Sequence, residues 1–460
     1  MNTYDSQLAA GILEHAGFDV LAEGGGEPDL VLVSGRPSIS QGADIVLMNT
    51  CSVREHAEER VWGRLGLLGA EKKERPDLVV GLMGCMVEEH REKLFKRFPY
   101  LDLIVGTRHI KELPEMIRQV FETRTQVARI KQDGISIEYS EFAKRDSAYH
   151  AWLPIMTGCD KECTFCIVPK TRGSEVSMPV SEVLREAARL TASGVKWITL
   201  LGQNVNSYAS QELEVMSPEN VKNPLQAKDA ILEYRLSFPR LLEMLCEMEG
   251  LERISFTTSH PHDATEELFR VLSRNPKIGR RFHLPLQSGS DCVLKRMKRL
   301  HTYAEYKAKV DRLRELVPDI SITTDIIVGF SGETEKDHQE TKRALEEICF
   351  DSAFIYKYSV RPGTPAKRLP DDVPPEVKSS RNQELLAIQK KISDENSRLL
   401  LNSSRTVFIE CRHDKNTGEF VGRMDQDRRV IVESNRDCVG EFVLVTLTGL
   451  HHETLRAKIH

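Results

Sequence analysis

The sequence predicts an α/β protein that ends in a small all-β barrel, and three observations predict it. Between residues 150 and 365, six short apolar runs alternate with amphipathic stretches; residues 1–122 alternate in the same way; residues 402–460 are short alternating runs separated by turn residues. Strands alternating with helices imply parallel sheets joined by crossover helices. At 460 residues the chain has room for two or three domains, each with its own core.

In the N-terminal part, residues 45–48, 79–82 and 103–105 read as buried strands, with helical patterns at 5–15, 54–68 and 87–98. Cys51 and Cys85 each follow directly on a strand, in Asn49-Thr50-Cys51-Ser52 and Met83-Gly84-Cys85-Met86. Strand ends of a parallel sheet are ligand-binding positions, so two cysteines at equivalent places suggest a metal site. Buried free cysteine is the competing reading for both. Residues 123–148 are polar and mixed, a linker or a paired edge.

The middle of the chain reads as an open six-unit (β/α) barrel with strands at 153–157, 197–201, 254–258, 282–286, 322–328 and 353–358. Residues just past each strand converge on one face of such a barrel. There the first strand brings Cys159, Cys163 and Cys166, and the others bring Gln203 and Asn204, Ser259, Gln287, then Asp325 and Glu333. Some of the polar residues near these ends are expected to cap helices instead, Ser290, Asp291, Ser331 and Thr334 above all. Residues 209–236 look like a surface insertion, and 376–401 like a long charged helix. The tail from 402 reads as an OB-like barrel, a common module for single-stranded nucleic acid.

Cys159-Asp160-Lys161-Glu162-Cys163-Thr164-Phe165-Cys166 is the most specific chemical signal. Three thiolates on one loop hold three irons of a 4Fe–4S cluster and leave the fourth open to a substrate. Closely spaced cysteines also ligate zinc, but zinc wants a fourth protein ligand. No second Cys-x2-Cys pair is present, and the nearest upstream histidine, His150, lies across the strand.

The formal net charge of −5 argues against a simple basic nucleic-acid binder. Residues 275–314 are the exception, with eleven Lys and Arg against three Asp and Glu, and read as a polyanion docking surface. Ten cysteines, most of them scattered, suit a reducing compartment. The opening Met1-Asn2-Thr3-Tyr4-Asp5 carries no basic and apolar leader, and no long apolar run follows; a cytoplasmic protein with no membrane partner is expected.

The cysteine spacing, with its aromatic before the third cysteine, resembles the signature of radical S-adenosylmethionine (SAM) enzymes. In these the open iron chelates SAM, and one electron cleaves it to methionine and a 5′-deoxyadenosyl radical. The order of units, with Leu201-Gly202-Gln203-Asn204-Val205-Asn206-Ser207-Tyr208, Phe256-Thr257-Thr258-Ser259-His260-Pro261, His283-Leu284-Pro285-Leu286-Gln287-Ser288-Gly289-Ser290 and Arg361-Pro362-Gly363-Thr364-Pro365-Ala366, is similar to the methylthiotransferases. Among them it resembles the branch acting on N6-isopentenyladenosine beside the tRNA anticodon.

The resemblance implies a flavodoxin-like domain over 1–122, a radical SAM core over 145–375 and a TRAM β-barrel over 400–460. It implies two 4Fe–4S clusters and SAM: Cys159, Cys163 and Cys166 would hold the SAM-cleaving cluster, Cys51 and Cys85 would help hold an auxiliary one that carries the transferred sulfur. Gln203, Asn204, Ser259, Gln287, Asp325 and Glu333 would surround SAM and the base. Partners would be the tRNA anticodon loop, a reductant such as flavodoxin or ferredoxin, and a sulfur donor. The family's first auxiliary cysteine sits in a Gly-Cys-Gln-Met-Asn run before Asp-Ser, and this sequence opens just inside that run at Met1-Asn2-Thr3-Tyr4-Asp5-Ser6. Either the start is placed too late or the chain has two auxiliary thiolates; with two it is expected to cleave SAM, while sulfur insertion is in question. The alternatives are a methylthiotransferase for threonylcarbamoyl-adenosine or a ribosomal protein, or a tRNA-binding relative that has lost sulfur transfer.

Overall fold

The computed structural model describes residues 2–23, 30–33, 43–50, 55–130, 141–213, 235–413 and 418–459. Two compact units are present, one of residues 1–146, 152–162 and 166–176, the other of residues 147–151, 163–165 and 177–460.

The first unit is built on a six-stranded sheet in sequential order: Val20–Glu23, Leu30–Val33, Ile45–Thr50, Val79–Gly84, Leu103–Val105 and Val127–Arg129. Every residue of Ile45–Thr50 and Val79–Gly84 is buried, the mark of a parallel strand covered on both faces. Val46, Val80, Leu82 and Ile104 meet Leu65 and Leu68 of the helix Glu55–Glu74 in one apolar core. From Ile45–Thr50 onward the pairs are parallel, whereas Val20–Glu23 and Leu30–Val33 pair antiparallel with each other and with Ile45–Thr50. The parallel reading of the sequence did not anticipate that hairpin; strands so close in sequence have no room for a crossover helix. Within 123–148, Val127–Arg129 forms the paired edge beside Leu103–Val105.

In the second unit, Trp197–Leu201 pairs with Arg253–Phe256 in one sheet, and Arg281–His283, Ser321–Val328 and Ser352–Lys357 form another. The pairs Trp197–Leu201 with Arg253–Phe256, and Ser321–Val328 with both of its neighbours, are parallel. Gly279 N–H donates to Ile254 O at 2.8 Å and carries the chain from the first sheet to the second. Helices Val180–Ala192, Phe238–Cys246, Glu266–Arg274, Tyr303–Leu316 and Glu335–Ile348 follow the strands in turn. Thr334 caps the last of these in a reciprocal box with Asp337, whereas Ser290 spends its hydroxyl on Asp337 Oδ1 at 2.5 Å.

Pro375–Leu399 is the long charged helix. It leads to a closed five-stranded barrel of Ser404–Arg412, Glu419–Met424, Arg429–Glu433, Phe442–His451 and Thr454–Ile459, filled by Val407, Ile409, Phe420, Val430 and Val432. Arg253, buried at the start of its strand, donates to Arg423 O and Met424 O and fastens the barrel to the strand layer. Among the described residues no helix is long and apolar enough to cross a membrane.

Candidate cofactor and substrate site

The cysteine loop is closed at its base, where Met156–Thr157 pairs with Val176–Ser177. Gly158 turns the chain with φ +75°, and a Cβ there would stand 1.9 Å from Ser174 O, so only glycine fits. Cys159 N–H donates to Gly173 O at 3.1 Å, and Asp160 Oδ1 accepts from Glu175 N–H at 3.0 Å. Cys159 and Cys166 are half-buried and neither is in a disulfide.

Further along the loop, within the second unit, Thr164 N–H donates to Met297 O and Thr164 Oγ1 to Arg296 O, each at 3.0 Å, while Thr164 O accepts from Ala366 N–H. Cys163 is therefore fixed beside the end of the helix Asp291–Arg296, where Arg299 Nη1 donates to its Sγ at 3.3 Å. His150, the one histidine considered for zinc, is committed elsewhere: its Nε2 meets Thr199 Oγ1 at 2.9 Å and its ring packs on Trp197. Burial, reinforced by Arg423, pushes its pKa down to about 4.

The strand ends of the second unit are tied together pairwise. Thr258 Oγ1 donates to Gly202 O at 2.7 Å and Val205 N–H to Thr258 O, joining the second and third ends. Gln287 N–H donates to Asp325 O and Ile327 N–H to Gln287 O, joining the fourth and fifth; Tyr358 N–H reaches Val328 O and adds the sixth. Thr258 at φ +65° and Gln287 at φ +75° hold left-handed backbone, an uncommon state for side-chain-bearing residues that clusters at ligand sites.

Gln203 Oε1, Asn204 Oδ1, Ser259 Oγ, Gln287 Oε1 and Tyr358 Oη are buried with no hydrogen-bond partner among the described residues. A folded protein leaves few such atoms, and these lie just past the second, third, fourth and sixth strands. They suit a ligand rich in hydroxyl, amino and carboxylate groups. The three thiols of the cysteine loop fit a 4Fe–4S cluster, and the polar set fits SAM.

The remaining expected residues are placed differently. Asp325 lies inside Ser321–Val328 and its carboxylate meets His283 Nε2 at 3.3 Å. Glu333 is buried and its carboxylate is occupied, by Arg381 at 2.8 Å and by Gly329 N–H at 2.9 Å. Burial raises its pKa, and those two donors oppose the rise. Cys51 lies outside the described residues. Cys85 opens the short helix Cys85–His90 and is buried.

Sequence reading missed two arginines. Arg172, in the same unit as Cys85, donates to Asp5 Oδ2 at 2.6 Å and to Asn2 Oδ1 at 3.2 Å, and Cys85 lies close enough to favour its charge. Burial works against its charge, but Asp5 and Cys85 outweigh it and hold its pKa above the usual range. The second is Arg299. Arg172, six positions after Cys166, is a visible signal, but nothing in the spacing says which thiol it reaches.

The basic stretch 275–314 also looks different once folded. Lys277, Arg280, Lys309 and Arg314 donate to backbone carbonyls; Arg281, Arg296, Lys307 and Arg312 pair with Asp427, Asp337, Asp311 and Glu266. Lys295 and Lys298 remain exposed. Most of the apparent surplus serves the fold.

Comparison with known proteins agrees with the site. The chain matches the radical SAM superfamily over residues 153–345 and the Uncharacterized protein family UPF0004 over residues 36–106. A Cys-x3-Cys-x2-Cys loop in a chain with that match, together with unpaired polar atoms at the strand ends, defines a radical SAM enzyme. The tRNA-2-methylthio-N(6)-dimethylallyladenosine synthase of Carboxydothermus hydrogenoformans is 38% identical over 97% of this chain and 94% of its own length. The enzyme of the same name from Dictyoglomus thermophilum is 38% identical over 100% of this chain and 96% of its own. This chain belongs to that family of synthases. A solved radical SAM methyltransferase of Kitasatospora setae is a more distant likeness, 15% identical with a TM-score of 0.47 over 66% of this chain and 60% of that one.

Proposed function

We propose that this protein is a tRNA methylthiotransferase that places a methylthio group on C2 of N6-isopentenyladenosine beside the anticodon. The observation that carries it is the identity to synthases of that name along the whole chain, from the α/β unit through the C-terminal barrel. Cys159, Cys163 and Cys166 would hold the SAM-cleaving cluster, and Cys85, with Cys51, would contribute to an auxiliary cluster bearing the sulfur to be transferred. When bound, the first cluster and SAM supply a carbon radical able to abstract hydrogen from an unreactive C–H bond.

The chain's own residues position and shield. Gln203, Asn204, Ser259 and Gln287 offer buried polar atoms that would orient SAM and the base, and the strained backbone of Thr258 and Gln287 fixes where they point. Glu333 serves at one remove, by holding the Gly329 turn through its N–H and through Arg381. An adenosine in a single-stranded loop can be unstacked into such a pocket at little cost. The closed C-terminal barrel, with Lys295 and Lys298, would meet the RNA.

We assign the domains to residues 1–122, 145–375 and 400–460. A reductant such as flavodoxin or ferredoxin, a sulfur donor and a cytoplasmic location accompany this reading. The test is reconstituted protein with SAM, reductant, sulfide and isopentenylated tRNA, followed by nucleoside mass spectrometry. A 2-methylthio product that vanishes in the Cys159→Ala/Cys163→Ala/Cys166→Ala protein supports the reading. SAM cleavage without that product would leave the tRNA-binding relative in its place.

A further inference from the structure

Arg299 has one bond that the fold does not need. Its Nη2 donates to Pro285 O at 2.8 Å, which suffices to anchor the side chain, yet Nη1 donates to Cys163 Sγ at 3.3 Å. Its Nε–H is buried with no hydrogen-bond partner among the described residues. Cys163 is 8% exposed, so the guanidinium faces a sulfur largely shielded from water. The contact is held rigidly: both bonds from Thr164 land on Arg296 and Met297, three and two residues before Arg299. A half-buried cation over a shielded sulfur costs desolvation that a neutral thiol repays poorly and a thiolate repays well.

We propose that Arg299 is a positioning residue that sets the reduction potential of the cluster held by Cys163. The proposal rests on the reading of Cys163 as a cluster ligand. One electron from an added reductant takes the 4Fe–4S core from 2+ to 1+, with no bond made or broken. The added negative charge spreads onto the sulfurs, so an N–H donor carrying full positive charge favours the reduced form and raises the potential. Arginine suits this because it stays protonated at any working pH and its planar fork spans two acceptors at once. A lysine could reach the sulfur or the Pro285 carbonyl, but its single ammonium would not hold both in the same geometry.

The experiment is an anaerobic redox titration, followed by electron paramagnetic resonance without SAM, on full-length protein carrying Cys51→Ala and Cys85→Ala so that one cluster is read. Arg299→Gln is expected to load the same iron as this parent and to titrate lower. At the potential where the parent is half reduced, its ratio of reduced to oxidised cluster falls about tenfold, which is about 59 mV for one electron. Arg299→Lys is expected to fall between the two. Full iron with an unchanged midpoint in Arg299→Gln would overturn the proposal and leave Arg299 as a support for Pro285. If Arg299→Gln fails to load iron, Arg299→Lys decides: a lowered midpoint upholds the proposal and an unchanged one overturns it. Adding Cys163→Ala to the parent separates the two levels of the account. Iron undiminished by that change would remove the cluster from Cys163 and the underlying reading with it.

Discussion

Replacing Gly158 by alanine isolates what the cysteine loop needs from its backbone. The added Cβ would stand 1.9 Å from Ser174 O, 2.5 Å from Ser174 C and 2.6 Å from Gly173 O, all main-chain atoms that no rotamer change can move. Opening those contacts to an ordinary separation parts the two limbs of the loop by about 1 Å and breaks Cys159 N–H to Gly173 O, a bond worth about 1 kcal/mol. Left-handed backbone in an alanine adds about 1–2 kcal/mol. The total, about 2–3 kcal/mol, falls on the segment that carries Cys159. Gly194 is the control: its φ is +94° and a Cβ there meets nothing within 4 Å, so Gly194→Ala carries only the backbone cost. The assay is iron and acid-labile sulfide per chain after anaerobic reconstitution, with urea unfolding in parallel. Gly158→Ala is expected to lose most of the iron that the Cys159→Ala/Cys163→Ala/Cys166→Ala protein loses, and Gly194→Ala to lose none. Full iron in Gly158→Ala would refute the claim that this turn shapes the cluster loop.

Other expectations concern stability and the pocket. Arg381→Leu leaves Glu333 buried without its cation and should lower unfolding stability by about 3–5 kcal/mol, with most of it returned by adding Glu333→Leu; urea midpoints decide. His150 and His301 stay neutral in the fold, with pKa values pushed down to about 4 and about 3 chiefly by burial, whereas the unfolded chain takes up a proton at 6.5. Stability they permit is therefore complete above pH 6.5 and falls as pH drops, until about pH 4 for His150 and about pH 3 for His301. At pH 5 each costs about 2 kcal/mol, so unfolding at pH 7 and pH 5 should differ by about 4 kcal/mol less in a His150→Gln/His301→Gln variant. Ser259→Ala removes a buried hydroxyl that has no hydrogen-bond partner among the described residues, so it should leave the unfolding midpoint unchanged while weakening SAM binding about tenfold by calorimetry, or about 1.4 kcal/mol.

What the sequence showed depended on how local the signal was. Three cysteines within eight residues announce their chemistry because one loop supplies all the donors, and strand–helix alternation announced the sheets because periodicity is local. The hairpin of Val20–Glu23 and Leu30–Val33 escaped because a short apolar run does not declare the direction of its partner. Glu333 read as a pocket residue because Arg381, which takes its charge, lies 48 positions later. Arg299 and Cys163 are 136 positions apart, and no spacing rule joins them.

The basic stretch misled for a related reason. Charge was counted over 275–314, while Asp427, Glu266 and Asp337, which neutralise Arg281, Arg312 and Arg296, fall outside that window. Thr258 was quoted in a motif but its role was hidden, because a β-branched residue at φ +65° is what local propensity forbids. Such conflicts between local preference and fold are expected where a site is built.

The central claim is that this chain aims a SAM-derived radical at C2 of the isopentenylated base. The measurement that tests it most directly uses tRNA whose isopentenyladenosine carries deuterium at C2, with reconstituted protein, SAM, reductant and sulfide. The account predicts 5′-deoxyadenosine one mass unit heavier, formed together with 2-methylthio product that has lost the label. Unlabelled 5′-deoxyadenosine with the deuterium still on the base would contradict it.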